Sequence, residues 1–448
     1  MQGRPCPKIR RRRGGTGVAI AIASIVAALA SGGCRPREAA PRERLTLSYF
    51  RLGWSQPDEE PAAQRWSDDF TRQTGIGVTH PPVPETSLSQ LDLSRKLLRD
   101  LDRSVDVLGV DVVWSGVLGS DLLDLRPFFA KEIAAMDPRL VAAYTLEGKL
   151  VAVPYQVHVG VLEYRTDLVR EYGFDHPPRT WDELEAMAKK IQAGERAKGN
   201  ADFWGYVWQG AESEALTCNA LEWQAAEGAG QILEENHTVS VNNPATVRAW
   251  QRAKRWIGWI SPPSVLAYRE LDARNVFDSG RAAFSRNWAG SARGAVADDA
   301  PSPRVYGRPT SMAGKFGYAG MPGGPGGRFS TLGGSGLAVP TRSSHHQEAM
   351  ELVRFLIREQ SNPSPPPDAS APELRDLPSV LDSGTSPYKS GIAIRPAGVA
   401  GPSYEAVTRA YARWLHAVLT GEKKAAEAAR EVEKELVALT GFEMGPPQ

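Results

Sequence analysis

Residues 105–114, VDVLGVDVVW, constrain the fold more than any other stretch. They are almost continuously apolar and β-branched, so both faces of the strand they predict must be covered, as inside a parallel sheet. The chain before them changes period in a regular way. Residues 45–50 alternate like a strand. Residues 61–74 read as a helix with Trp66 and Phe70 on one face, stopped by Gly75. Residues 76–78 begin a second strand, and 88–101 carry an apolar helical stripe. Strand–helix–strand–helix–strand predicts an α/β domain.

The rest of the chain extends the same pattern. Residues 150–155 and 160–164 read as two short strands. Thr180-Trp181-Asp182-Glu183 is a capping box opening a helix to about residue 192, and 245–259 is a further helix with Trp250, Ala253, Lys254 and Ile257 on one face. Residues 281–288 read as a helix end or a strand entering a loop. Residues 316–321 and 336–339 read as strands around a glycine-rich loop, 322–334. Ser344-His345-His346-Gln347 is a second capping box, with a helix to about 358. The prolines of 361–378 predict a loop, and 403–419 and 423–439 are closing helices split at Gly421.

The N-terminus reads as an address rather than as fold. Basic Arg10–Arg13 precede the apolar run 18–30, too short to span a bilayer. Small residues then meet Cys34, resembling a bacterial lipobox, so residues 1–33 are expected to be a signal peptide. Cys34 is then the lipidated residue, and 34–44 a polar tether. The first 33 residues carry six basic and no acidic side chains, which leaves 415 residues with a net charge of −5. That balance argues against a nucleic-acid partner, and the length calls for two domains. With Cys6 and Cys34 assigned to the leader and anchor, Cys218 stands alone and is expected to be a buried structural thiol.

Motifs of catalysis are missing. There is no P-loop and no zincin His pair. Gly333-Gly334-Ser335-Gly336-Leu337 lacks the last glycine of a hydrolase elbow. His345 and His346 are adjacent, which makes a poor metal pair on a helix. No cofactor or metal is expected.

Asp111-Val-Val-Trp114, Val153-Pro154-Tyr155, Gly160, Tyr164-Arg165-Thr166-Asp167-Leu168 and Pro178-Arg179-Thr180-Trp181-Asp182-Glu183-Leu184 follow one another in an order that resembles family 1 extracellular solute-binding proteins. The resemblance is nearest to their trehalose/maltose-binding branch. Asn219-Ala-Leu-Glu222-Trp223, Ala283-Phe284-Ser-Arg286-Asn287-Trp288, Thr331-Leu-Gly333-Gly334, Arg395-Pro396 and Leu419-Thr-Gly421-Glu422 continue it.

The resemblance implies a two-lobed α/β fold of the periplasmic-binding-protein type II class, with a hinge and an interlobe ligand cleft. Residues 45–153 with 320–358 would form one lobe, and 154–319 with 359–448 the other. It implies a lipid-anchored receptor outside the cytoplasmic membrane, in the periplasm or on the cell surface. Such a receptor captures a sugar for the permease subunits of an ABC importer. Asp111, Glu222, Trp223, Trp288, Gly334 and Arg395 are implied as ligand residues, with His158, Gln90 and Tyr404 as further positions. The chain departs from the pattern at His158 (usually Asp or Asn), Gln90 (Arg), Ser335 (Trp), Ala289 (Pro) and Gly290 (an aromatic). The competing readings are a glycoside-processing enzyme using Asp111 and Glu222 as its carboxylate pair, and a sensor or non-sugar binder on the same fold.

Overall fold

The computed structural model describes residues 44–52, 59–84, 87–99, 105–136, 138–288, 304–305, 308–309, 312, 314–361 and 390–446. The expected signal peptide, Cys34, nearly all of the tether, residues 289 and 290, and the proline-rich stretch beyond 361 lie outside them.

Among the described residues nine strands make one sheet: β1 Thr46–Phe50, β2 Gly77–Thr79, β3 Val107–Asp111, β4 Val153–Arg165, β5 Trp204–Val207, β6 Ala282–Trp288, β7 Phe316–Gly320, β8 Arg328–Ala338 and β9 Ser390–Ala393. Their order is β2-β1-β3-β8-β4-β6-β5, with β7 on β4 and β9 on β8. The parallel pairs β1–β2 and β1–β3 bear out the grammar of the first hundred residues. In β3 the residues 107–110 are buried without alternation, because both faces are covered.

Two long strands join the halves of the sheet. β4 pairs with β8 through Val153–Val159, then runs on between β6 and β7 through Gly160–Arg165. β8 pairs with β9 through Arg328–Thr331, then with β3 through Ser335–Ala338. The two short strands expected at 150–155 and 160–164 are therefore one strand of 13 residues. Gly160 does not break it. A β-carbon there would overlap Oε1 of Glu222, so the glycine marks a close approach, not a turn. The expected loop 322–334 likewise ends early. Gly333 lies inside β8, where a β-carbon would stand 2.9 Å from the Trp288 indole, and Gly334 follows it at φ +120°.

Among the described residues nine longer helices pack around the sheet and on one another: α1 Glu59–Thr74, α2 Ser87–Arg99, α3 Trp181–Ala197, α4 Glu214–Ala226, α5 Pro244–Trp256, α6 Glu270–Asp278, α7 His346–Ser361, α8 Tyr404–Thr420 and α9 Ala425–Thr440. The Thr180 hydroxyl caps α3 by accepting from Glu183 N at 3.1 Å. Glu183 reaches one residue further back than in a capping box, to Arg179 N at 2.7 Å. Phe70 of α1 meets Phe355 of α7 edge-on at 5.3 Å. Beyond β4, Trp181, Trp208, Trp223 and Trp256 build an aromatic core, with neighbouring centroids 5.0–6.4 Å apart.

Candidate functional site

The site is laid out by strand register around the middle of β8. Ser335 pairs with Asp111 of β3 on one side and with Gln156 of β4 on the other. Gly333 pairs with His158, and Gly160 pairs with Trp288 of β6. Residues two apart share a face, so Gln156, His158 and Gly160 point the same way. Two contacts confirm that face: Ser335 Oγ donates to Gln156 Oε1 at 3.2 Å, and the Trp288 indole lies on Gly333. Asp111, Ser335, Gln156, His158 and Trp288 thus border a floor that lacks side chains at Gly160 and Gly333.

Asp111 ends β3, and the chain turns at once because its Oδ1 accepts from Val113 N at 3.1 Å. Burial raises its carboxyl pKa, against the opposing pull of Arg395 and the Val113 amide. Arg395 follows β9. Its Nη2 donates to Leu332 O of β8 at 3.0 Å and stands 3.7 Å from Asp111 Oδ1, while Nη1 donates to Glu214 Oε1 at 2.8 Å. His158 is mostly buried, and burial drops its pKa to about 4, so the imidazole is neutral at neutral pH.

Four of the implied residues are engaged within the protein itself. Glu222 is fully buried and its oxygens are taken: Oε2 accepts from Arg286 Nε at 3.1 Å, and Oε1 from Arg286 Nη2 at 2.7 Å and Thr331 N at 3.0 Å. The carboxylate therefore stands over Gly160, on the face its missing side chain would occupy, and is paired there on a guanidinium fork. Trp223, 2 % exposed, sits in the aromatic core between Trp208 and Trp256 because α4 turns it inward. Tyr404 is buried with its hydroxyl donating to Glu214 Oε1, so it acts on Arg395's partner. Gln90 is buried on α2, its Nε2 donating to Pro84 O at 2.8 Å, and is not part of the register around β8.

Three residues went unread. Gln156 follows from the period of two once β4 is taken as one strand. Arg286 is a fully buried charge in β6, and it stacks its guanidinium 4.1 Å over the Trp288 ring. Glu214 opens α4 and looks in the sequence like an ordinary acidic first turn.

The chemistry available is recognition. The Cys218 thiol is buried and its pKa is pushed to about 12, which keeps it from acting as a nucleophile. Among the described residues no cluster suits a metal ion. A separate cavity of about 520 Å³ opens where α3 and α5 meet the turn at Gly323–Pro325. Its Arg248 and Arg252 are bound to Glu227, Asp182 and Glu185, and it shares no residue with the β8 site.

Residues 53–363 match the family described as bacterial extracellular solute-binding protein. A probable ABC transporter-binding protein of Deinococcus radiodurans is 38% identical over 414 residues, covering 90% of this chain and 96% of that protein. Among solved structures, the maltose-bound MalE3 of T. maritima is 32% identical with a TM-score of 0.71, over 88% of this chain and all of that one. A ribitol-bound solute-binding protein of Agrobacterium radiobacter K84 is 21% identical with a TM-score of 0.69, over 88% of this chain and 98% of that one. The architecture common to these structures is two-lobed and α/β, with a curled sheet, as in the chain itself.

Proposed function

From the premise that the chain belongs to the bacterial extracellular solute-binding protein family, a family of transport receptors and not of enzymes, we propose that it captures a sugar or polyol for an ABC importer. The observation that carries this reading is the face described above. A carboxylate, a guanidinium, an imidazole, an amide and an indole stand around the middle of β8, where Gly160 and Gly333 let Glu222 and Trp288 approach the strands closely. Hydroxyl groups are donors and acceptors at once, so they fit Asp111 beside Arg395. A pyranose presents an apolar C–H face that fits the Trp288 ring.

The lobes would be residues 45–153 with 320–358 and 154–319 with 359–448, joined through β4 and β8. A solute touching both lobes binds the closed form better and shifts the population toward it; the closed form then delivers to permease subunits. The substrate class would be a disaccharide or short oligosaccharide of the maltose or trehalose kind. MalE3 with maltose supports that class, and the loss of an aromatic at Ser335 leaves room for a different sugar. An N-terminal signal and lipidation at Cys34 would hold the protein on the outer face of the cytoplasmic membrane.

Calorimetric titration with maltose, trehalose, longer maltooligosaccharides and ribitol tests the proposal. Saturable heat from at least one is expected. Asp111→Asn and Trp288→Ala should each weaken it by about tenfold or more, from a lost charged acceptor or a lost stacking face. No heat from any member of the panel, or full affinity in both variants, would overturn it.

A further inference from the structure

The charges around the site are unequal. Arg395 is shared by two carboxylates, Glu214 at 2.8 Å and Asp111 at 3.7 Å, and Arg286 is taken by Glu222. Burial raises the carboxyl pKa of Glu270 on α6, with Arg286 and Arg269 acting against it and Glu214 adding to it. Among the described residues that act on one another here, four carboxylates stand against three guanidiniums. His158 adds no positive charge at neutral pH, since burial keeps its pKa near 4.

Glu214 is held firmly in this network. Its Oε1 accepts from Arg395 and from the Tyr404 hydroxyl, and its Oε2 accepts from Thr408 Oγ1 at 2.7 Å. Thr408 is fixed in turn by Thr217 at 2.8 Å. Tyr404 and Thr408 both come from α8, so a helix from the far end of the chain sets where Glu214 holds Arg395.

We propose that Glu214 is a specificity-determining residue: by occupying Arg395 it withholds that guanidinium from anionic solutes, so the site takes neutral polyhydroxy compounds and rejects their phosphorylated forms. The inference rests on the reading of the site as a solute receptor. A phosphate needs charge-assisted bonds from a guanidinium edge, and Arg395, only 6 % exposed, already spends one N–H of each Nη on Glu214 and the Leu332 carbonyl. A phosphate placed there would also meet Asp111, a like charge in a partly desolvated cleft, where repulsion is strong. A hydroxyl meets neither obstacle.

The test uses matched pairs: maltose with maltose 1-phosphate and trehalose with trehalose 6-phosphate, titrated into the wild type, Glu214→Gln and Glu214→Asp. The wild type should prefer the neutral member by at least about a hundredfold, and Glu214→Gln should narrow that ratio by about tenfold or more. Glu214→Asp keeps the charge and should keep the rejection. A wild type that binds either phosphorylated sugar as tightly as its neutral counterpart would refute the inference. So would a folded Glu214→Gln with an unchanged ratio. Should circular dichroism show Glu214→Gln unfolded, the wild-type ratio and Glu214→Asp decide, and a folded Glu214→Asp that accepts the phosphates counts against. If neither neutral sugar binds the wild type, it is the receptor reading that fails. The inference then stands only if Glu214→Gln gains phosphate-sugar binding that the wild type lacks.

Discussion

Replacing Gly160 by alanine probes the support of the site with one methyl group. The added carbon would overlap Glu222 Oε1, lie 3.0 Å from the carboxyl carbon and 2.7 Å from Arg286 Nη2. All of these atoms are fully buried. The carboxylate must move, and it then releases Arg286 and the Thr331 amide together. Breaking a buried ion pair costs about 3–5 kcal/mol, and a buried amide left without an acceptor about 1–3 kcal/mol. Alanine returns only about 0.5–1 kcal/mol through its lower backbone entropy. A net loss of about 3 kcal/mol or more is expected, a large part of the stability of a typical domain. Urea unfolding followed by tryptophan fluorescence measures it. The mechanism is checked in a background lacking the pair, Glu222→Ala with Arg286→Met, where Gly160→Ala should cost less than about 1 kcal/mol. Equal costs in both backgrounds, or a loss under about 0.5 kcal/mol in the wild type, would refute the reasoning.

Other outcomes follow from single residues. His158 has a folded pKa of about 4 against an ordinary 6.5, so between those values the unfolded chain binds the extra proton. Stability should therefore fall as pH drops from about 6.5 toward 4, and His158→Asn should flatten that slope in denaturation midpoints. The Cys218 thiol, raised to about 12 by burial, should resist alkylation at pH 8 in the native protein and react once it is unfolded, as peptide mapping of the site would reveal. Thr180→Ala should cost about 1 kcal/mol through the lost cap on α3 and Thr180→Ser much less, read from the same urea curves.

Much of the scaffold was legible because it depends on local periodicity. The doubly buried run at 107–110, the stripes of α1 and α2 and the Thr180 cap all follow from which neighbours in sequence share a face. The misreadings cluster at glycines. The sequence left a gap before Gly160 between two short strands and put Gly333-Gly334 in a loop, yet all three glycines lie in long strands. What sits against them is remote in sequence: Glu222 on α4, Trp288 on β6 and the Gln156 carbonyl on β4. A glycine in isolation does not say whether it bends the chain or makes room for another part of it.

The site residues divide in the same way. Asp111 at the end of a buried strand, Trp288 at the end of β6 and Arg395 beyond β9 could be named from the residues and their resemblance, and each stands at the β8 crossing. Glu222 and Trp223 carried equally good motifs, but α4 turns them into an ion pair and an aromatic core. Glu214 gave no sign of itself. The amino-acid order by itself determined the α/β grammar, the family and the main ends of the elements, since these rest on interactions a few residues apart. Which carboxylate borders the β8 crossing and which is fully buried on an arginine was decided only when β4 and β8 brought distant segments into register, because burial and partnership belong to the packed chain and not to any stretch of it.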